Sequence, residues 1–98
     1  MSKHLPSFEV YGNYSSGNYG AHALMFTDAS GARYWFSYRT LVAFQPWNGR
    51  RVVHTNDWST TTGKHLNAID GGDKKARVSA ADFERLFFEA FGRRADAA

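Results

Sequence analysis

The hydrophobic pattern of this chain changes its period near residue 57, and that change limits the folds open to it. Before it, AHALMFT (21–27) and ARYWFSY (32–38) have the aromatic content typical of strands. After it, apolar residues recur at helical spacing in two stretches, 58–69 and 83–91. Strands followed by helices predict an α+β fold: an antiparallel sheet of four to five strands, built from two hairpins, with two C-terminal helices on one face.

Two turn signals set the expected strand pairing. DASG (28–31) joins the first two strands and predicts that Met25 lies opposite Tyr34. Between LVAFQPW and RRVVHT stands Asn48-Gly49, a dipeptide that favours a type I′ turn with positive φ at both residues. A two-residue turn there predicts that Trp47 lies opposite Arg50 and that the two form an exposed cation–π pair.

Both faces of the predicted sheet carry apolar side chains, although two helices on one face would cover only that face. The sheet therefore either curls and buries both faces, which is the favoured interpretation, or leaves an aromatic face exposed for a partner. Phe88 raises a related question, because it lies off the apolar stripe of the last helix. It is covered by the loop GNYSSGNYG (12–20), or it forms a homodimer interface, which is the interpretation we favour.

Composition excludes several classes of protein. A chain of 98 residues is expected to form a single domain, with an ordered core over about residues 8–92. It has no cysteine, so disulfides and thiolate metal sites are excluded, and a reducing cytoplasm is the expected compartment. It contains no apolar run long enough for a membrane span. The net charge of +3 is concentrated in the middle of the chain, in the pairs Arg50–Arg51 and Lys74–Lys75.

The segment NDWSTTTGKHLNAID (56–70) contains TGK, the tail of a phosphate loop. The full motif GxxxxGK[ST] requires a glycine where this chain has Trp58, and a hydroxyl where it has His65. Because two defining positions fail, we do not predict a nucleotide site. The segment is interpreted as a helix start capped by Asp57 or Ser59, whose hydroxyl-rich first turn can hold an anion weakly.

Catalytic and metal-binding interpretations are weaker. His54, Asp57 and His65 are close in sequence, but a strand end and a helix interior do not force their convergence, so neither a metal nor another cofactor is expected. The leading enzyme alternative is a metal-independent ribonuclease. Such an enzyme needs an acid, a base and cations around a phosphate, and this chain could supply them from His54, His65, Lys64 and Arg50.

Exposed aromatic, hydroxyl and cationic side chains form the predicted binding set. Its members are Tyr14, Tyr19, Trp47, Arg50, Arg51, Thr60, Thr61, Lys64, His65, Lys74 and Lys75. A nucleic-acid-binding module is one alternative function, with Arg77 joining these cations in a basic patch that contacts phosphates.

The strings YSSGNYGAHAL (14–24), FSYRTLVAF (36–44) and NDWSTTTGKHLNAIDGGDKK (56–75) resemble a small, poorly characterised family of phage, plasmid and prokaryotic proteins. The resemblance extends over roughly residues 11–91 and implies an accessory protein of a mobile element. Many such proteins bind and block host machinery. The expected function is therefore non-enzymatic docking on a host protein or nucleoprotein complex in the host cytoplasm, for example on a defence system in the manner of an anti-CRISPR protein.

Overall fold

The computed structural model describes residues 7–11, 23–38, 40–58 and 60–92, which form an antiparallel sheet followed by helices. The α+β prediction is therefore confirmed. The strands pair in chain order, from β1 to β5. The elements are β1 (Ser7–Val10), β2 (Ala23–Thr27), β3 (Arg33–Ser37), β4 (Thr40–Gln45), β5 (Val52–Val53), α1 (Thr60–Asp70), a 3-10 helix (Lys74–Ala76) and α2 (Ala80–Phe91). The predicted loop over 12–20 lies outside the described residues.

The β2–β3 hairpin is longer by one residue than predicted. Met25 pairs with Trp35, so the predicted pairing with Tyr34 is wrong. The cause is Asp28, whose backbone N–H donates to the Ala32 carbonyl at 2.9 Å and whose Oδ1 accepts from the Ala32 N–H at 3.1 Å. These bonds close a three-residue loop in which Gly31 has φ 93°. Because side chains alternate along a strand, the slip moves Trp35 to the other face.

The β4–β5 turn also differs from its prediction. The N–H of Gly49 donates to the Pro46 carbonyl at 3.0 Å, which places Trp47 and Asn48 at the centre of the turn. Neither Asn48 nor Gly49 has a positive φ, so the type I′ turn is wrong. A Cβ at Gly49 would lie 3.0 Å from the Pro46 ring, and this close packing holds the glycine at the last turn position. Trp47 is consequently not opposite Arg50.

The two helices cover opposite faces of the sheet. Leu66 and Ile69 of α1 pack in one cluster, here called the α1 cluster, whose other members are Trp35, Val42, Ala43 and Val53. Phe83 and Phe87 of α2 pack with Phe44 in the α2 cluster. The adjacent residues Ala43 and Phe44 belong to different clusters, as alternation along a strand requires. Placing both helices on one face was therefore wrong, and helices rather than curling cover both apolar faces.

A β-bulge adjusts the face that α1 covers. Trp35 pairs with Ala43, but the next residue, Phe36, pairs with Leu41, so Val42 is the extra residue. Both Val42 and Ala43 are completely buried in the α1 cluster. The bulge thus directs two consecutive side chains of β4 toward α1, where a regular strand would direct one.

The helix ends follow their sequence signals. Ser79 caps α2 by accepting a bond from the Asp82 N–H at 3.3 Å, and Gly92 ends it with φ 73°. Before the cap, the N–H of Val78 donates to the Val53 carbonyl at 2.8 Å, and the N–H of Thr55 donates to the Val78 carbonyl at 2.9 Å. The segment that leads into α2 therefore covers the edge of β5, so this edge is paired.

Candidate functional site

A cleft of about 500 Å³, lined mainly by residues with polar side chains, opens where the segment after β5, the outer side of α1 and the 3-10 helix meet. Three of its described lining residues are cationic and none is acidic. The lining consists of Thr55, Asn56, Gly63, Lys64, Asn67, Lys74 and Arg77. Its walls therefore offer amines, amides and a hydroxyl, the groups that bind anionic oxygens.

The two lysines reach the cleft from different elements. Lys64 lies on the exposed side of α1, and Lys74 begins the 3-10 helix. The chain turns between them at Gly71 and Gly72, whose φ values of 68° and 88° are left-handed and favour glycine. Within the described part of the chain, no carboxylate forms an ion pair with Lys74. The fold thus brings Lys64 of the TTTGK segment (60–64) and Lys74 of the Lys74–Lys75 pair to one cleft.

Arg77 forms a wall of the cleft and is held by Asp70. Its Nε donates to Asp70 Oδ2 at 2.7 Å, while one terminal nitrogen donates to Asp70 Oδ1 and Asn67 Oδ1, each at 3.0 Å. Burial alone would raise the pKa of Asp70, but the hydrogen bonds from Arg77 and from the Gly72 N–H lower it below the ordinary 3.8. This carboxylate therefore neutralises Arg77 and holds it as part of the cleft wall.

Gly63 is required by packing against the other wall. A Cβ at this position would lie 2.9 Å from Nδ2 of Asn56, closer than real Cβ contacts. The side chain of Asn56 is fixed in turn, since its Oδ1 accepts from the Trp58 N–H at 3.1 Å. Gly63 and Lys64 lie within α1, which begins at Thr60, so the helix-start interpretation is confirmed. The predicted cap Ser59 lies outside the described residues.

His65 is a core residue. It is fully buried, and its Nδ1 lies 2.6 Å from Oγ of Ser37, which is itself 3.0 Å from Oγ1 of Thr62. We call Ser37, Thr62 and His65 the polar cluster. Tyr38, at the β3–β4 turn with φ 59°, places its ring 5.9 Å from the imidazole. This cluster lies on the α1 side of the sheet.

His54 lies on the opposite side of the sheet. Its ring is 4.9 Å from Phe83 of α2, and its Nδ1 is 2.6 Å from the Thr55 carbonyl oxygen and 4.0 Å from Asp57. The sheet therefore separates this imidazole from His65. Among the residues that the structure describes, no three histidine, cysteine or carboxylate groups come together to hold a metal.

The other predicted site residues are distributed around the molecule. Trp47, which is 61% exposed, and Arg50 lie at the β4–β5 turn. Arg51 makes contacts within the fold. Its guanidinium lies 5.0 Å from the centre of the Trp35 ring and donates to the Ile69 carbonyl. Phe88 is exposed on α2.

Four further predicted residues lie near the cleft or outside the described chain. Lys75 is exposed on the 3-10 helix but does not line the cleft. Thr61 is half-buried in the first turn of α1. Tyr14 and Tyr19 lie outside the described residues.

Sequence reasoning missed the uncharged cleft residues Thr55, Asn56 and Asn67. One signal was available for Asn67, which follows Gly63 by four positions, so the two share one side of a helix. Trp58 was predicted to lie at the start of the first helical stretch, but it precedes α1 and is 43% exposed. No described helix is long and apolar enough to cross a bilayer.

No curated protein and no solved structure matches the chain. A model of a family of unknown function, DUF8033, matches residues 7–85. That range contains the whole sheet, α1, every residue that lines the cleft and the first half of α2. The chain therefore belongs to the DUF8033 family.

Proposed function

We propose that this protein is a small non-enzymatic binding protein that holds the phosphate backbone of a nucleic acid in the cleft. The observation that supports the proposal is the convergence of Lys64 and Lys74 on one cavity lined by Asn56, Asn67 and Thr55. Ammonium groups bind phosphate as point charges, and amide and hydroxyl groups add hydrogen bonds without reading bases. In the cell, we propose that the protein originates from a phage or mobile element and docks on a host nucleoprotein complex.

The chemistry of the cleft favours phosphate over an acidic peptide. Arginine is the residue suited to bidentate carboxylate recognition, but Arg77 already makes that interaction with Asp70. The described lining also lacks a large apolar side chain that could anchor a peptide. Two lysines and several neutral donors match a backbone of repeated anionic groups.

The test is fluorescence anisotropy of a labelled RNA at several salt concentrations, with Lys74→Ala and Lys75→Ala as a matched pair. Both substitutions remove one charge from the same 3-10 helix, but only Lys74 lines the cleft. We expect Lys74→Ala to weaken binding and to reduce the slope of log affinity against log salt by about one. Lys75→Ala should leave both nearly unchanged.

Two results would contradict the proposal. One is the absence of salt-dependent binding by the wild type. The other is an equal loss in Lys74→Ala and Lys75→Ala, because that would indicate general attraction to a basic surface.

Docking on a host protein through the β4–β5 turn is a second candidate. Trp47 is 61% exposed and Arg50 is exposed beside it, and both residue types are enriched at the centres of protein interfaces. Trp47→Ala should then weaken binding to the host complex and leave RNA binding unchanged. A loss of RNA binding in Trp47→Ala would contradict this division of roles.

The ribonuclease alternative has its own test. Burial of His54 and His65 on opposite sides of the sheet supports binding over cleavage. We expect no cleavage of RNA when the protein is incubated with it in the presence of a chelator. Cleavage that disappears in both His54→Ala and His65→Ala would instead support the enzyme.

A further inference from the structure

Trp58 presents a supported aromatic ring beside the cleft. Its backbone N–H donates to Oδ1 of Asn56, a cleft-lining residue, at 3.1 Å. Its ring centre lies 4.6 Å from that of His54, which rests on Phe83 of the α2 cluster at 4.9 Å. The ring is therefore supported from the core side by His54, yet 43% of the residue stays exposed.

Position distinguishes Trp58 from the other exposed large apolar residues. Within the described chain these are Tyr38, Trp47, Trp58 and Phe88. Tyr38 and Trp47 lie at strand turns, and Phe88 lies on the outer side of α2. Trp58 lies two residues from Asn56 in the chain and is hydrogen-bonded to the side chain of that residue, which lines the cleft. An exposed aromatic residue is thus hydrogen-bonded to one wall of the cationic cleft.

We propose that the ligand is a single-stranded nucleic acid, with one base stacked on Trp58 while the adjoining phosphates lie between Lys64 and Lys74. The inference rests on the proposed phosphate-binding function and adds the strandedness of the ligand. In a duplex the flat faces of the bases are covered by their neighbours, so the tryptophan would have nothing to stack on. In a single strand every base has an open face, and stacking is tolerant of sequence.

The arrangement assigns separate roles to the two surfaces. Lys64 and Lys74 supply the salt-dependent part of the affinity, which any nucleic acid shares. Trp58 supplies a salt-independent part that requires an unpaired base. Removal of the Trp58 ring should therefore weaken binding by about tenfold, within the range for one stacked base, without changing the salt slope.

The experiment compares three labelled probes of equal length by anisotropy: a thymidine single strand, the same strand with abasic positions, and a duplex. We expect the wild type to bind the thymidine strand tightest. Trp58→Ala should lose about tenfold on that strand and nothing on the abasic strand, because the abasic strand has no base to stack. Trp47→Ala is the matched control and should behave as the wild type on all three probes.

A fluorescence measurement covers the case in which Trp58→Ala disturbs its contact with His54. In a Trp47→Phe background, the emitting residues are the buried Trp35 and the exposed Trp58. Stacking predicts that the thymidine strand quenches the emission, and that Trp47→Phe/Trp58→Phe shows no quenching while remaining folded by circular dichroism.

Equal binding of all three probes by the wild type would overturn the inference, as would unchanged affinity of Trp58→Ala for the thymidine strand. If Lys74→Ala still loses affinity in either case, the phosphate-binding function stands and only the single-strand inference fails. If Lys74→Ala also binds as the wild type, both fail.

Discussion

The two sides of the sheet are packed in chemically different ways. On the α2 side, the Phe44 ring meets the rings of Phe83 and Phe87 edge-on, at centroid distances of 5.2 and 5.0 Å. On the α1 side, the polar cluster of Ser37, Thr62 and His65 is buried beside the apolar α1 cluster. Aromatic packing stabilises without needing particular partners, whereas each buried polar group needs its hydrogen bond. The comparison indicates that α2 supplies stability and that the polar cluster supplies orientation.

Orientation matters on the α1 side because that helix carries part of the cleft. Successive residues of a helix differ in direction by about 100°. The contact between Ser37 and His65 fixes the imidazole toward the sheet, and Lys64, the preceding residue, is thereby directed outward to the cleft. A purely apolar contact would allow the helix to settle at more than one rotation.

The largest expected effect comes from removing an aromatic ring of the α2 cluster. Phe87→Ala should lower the free energy of unfolding by about 3–5 kcal/mol, since it leaves a cavity among Phe44, Phe83 and Phe91. The measurement is urea unfolding followed by circular dichroism. Its neighbour Phe88, which is 55% exposed, is the control, and Phe88→Ala should change the value by less than about 0.5 kcal/mol. Equal losses would refute the assignment of stability to this cluster.

Breaking the polar cluster should have a smaller effect on stability and a distinct effect on binding. Ser37→Ala removes the group that lies 2.6 Å from His65 and 3.0 Å from Thr62. We expect a loss of about 1–3 kcal/mol in the free energy of unfolding. Because the rotation of α1 is then less fixed, RNA affinity should also fall. Under conditions where both variants are folded, Phe87→Ala should bind as the wild type. If Phe87→Ala bound RNA more weakly than Ser37→Ala, the polar cluster would not be what orients the cleft.

The Asp70–Arg77 pair should make stability sensitive to acid. The folded state holds the pKa of Asp70 below its ordinary 3.8, so the carboxylate stabilises the fold above that value. This contribution is lost as pH falls below 3.8 and through the lower folded pKa. We expect Asp70→Asn to lower the free energy of unfolding by about 1 kcal/mol at neutral pH. In acid, the free energy of unfolding of this variant should fall less steeply than that of the wild type.

Unfolding midpoints between about pH 3 and pH 7 measure this effect. Some acid dependence should remain in Asp70→Asn. Burial alone would raise the pKa of Asp28, but hydrogen bonds from Ser30 and Tyr34 outweigh it and hold this pKa below 3.8 as well. The control is Arg85→Ala on α2. Because Arg85 and its partners Asp82 and Glu89 are exposed, this substitution should leave the free energy of unfolding nearly unchanged. Identical pH profiles for Asp70→Asn and the wild type would contradict the prediction.

The smallest effect on stability is expected at Phe88, where the homodimer stays a prediction. Phe88→Glu should remain folded, because the residue is 55% exposed. If two copies associate through this side of α2, the variant should have half the mass of the wild type in light scattering. A wild type that is monomeric at high micromolar concentration would end the dimer hypothesis and leave α2 with a stabilising role alone.

The sequence predicted the elements well because periodicity and caps are local signals. The change of period near residue 57 appears in the structure, where all helices of the described chain follow it and the first of them begins at Thr60. The strand registers were each wrong by one residue. Single contacts set the observed registers: the hydrogen bond from the Ala32 N–H to the Asp28 carboxylate, and the packing of Gly49 against Pro46. A hydrophobic pattern contains no information about such contacts. The same patterns do not say which face a helix covers.

The candidate site was predictable only in part. Lys64 and Lys74 were named from the sequence, but their meeting depends on the turn at Gly71 and Gly72. Asn56 was missed because surface amides are common, and the helical spacing of Asn67 from Gly63 does not by itself indicate a cleft. His65 was predicted among the exposed binding residues, whereas the structure buries it against Ser37, a strand residue distant in sequence.

The order of the strands has a consequence for how the molecule forms. Each strand pairs with the next one along the chain, so each pairing closes only the connection between consecutive strands, and the entropy lost at each step is small. Such topologies fold on the order of milliseconds. The helices come last in the chain, however, and until they dock both apolar faces remain open to water. We therefore expect a rate-limiting step in which α1 and α2 close on a sheet already formed, and the early sheet to be the species most prone to aggregate.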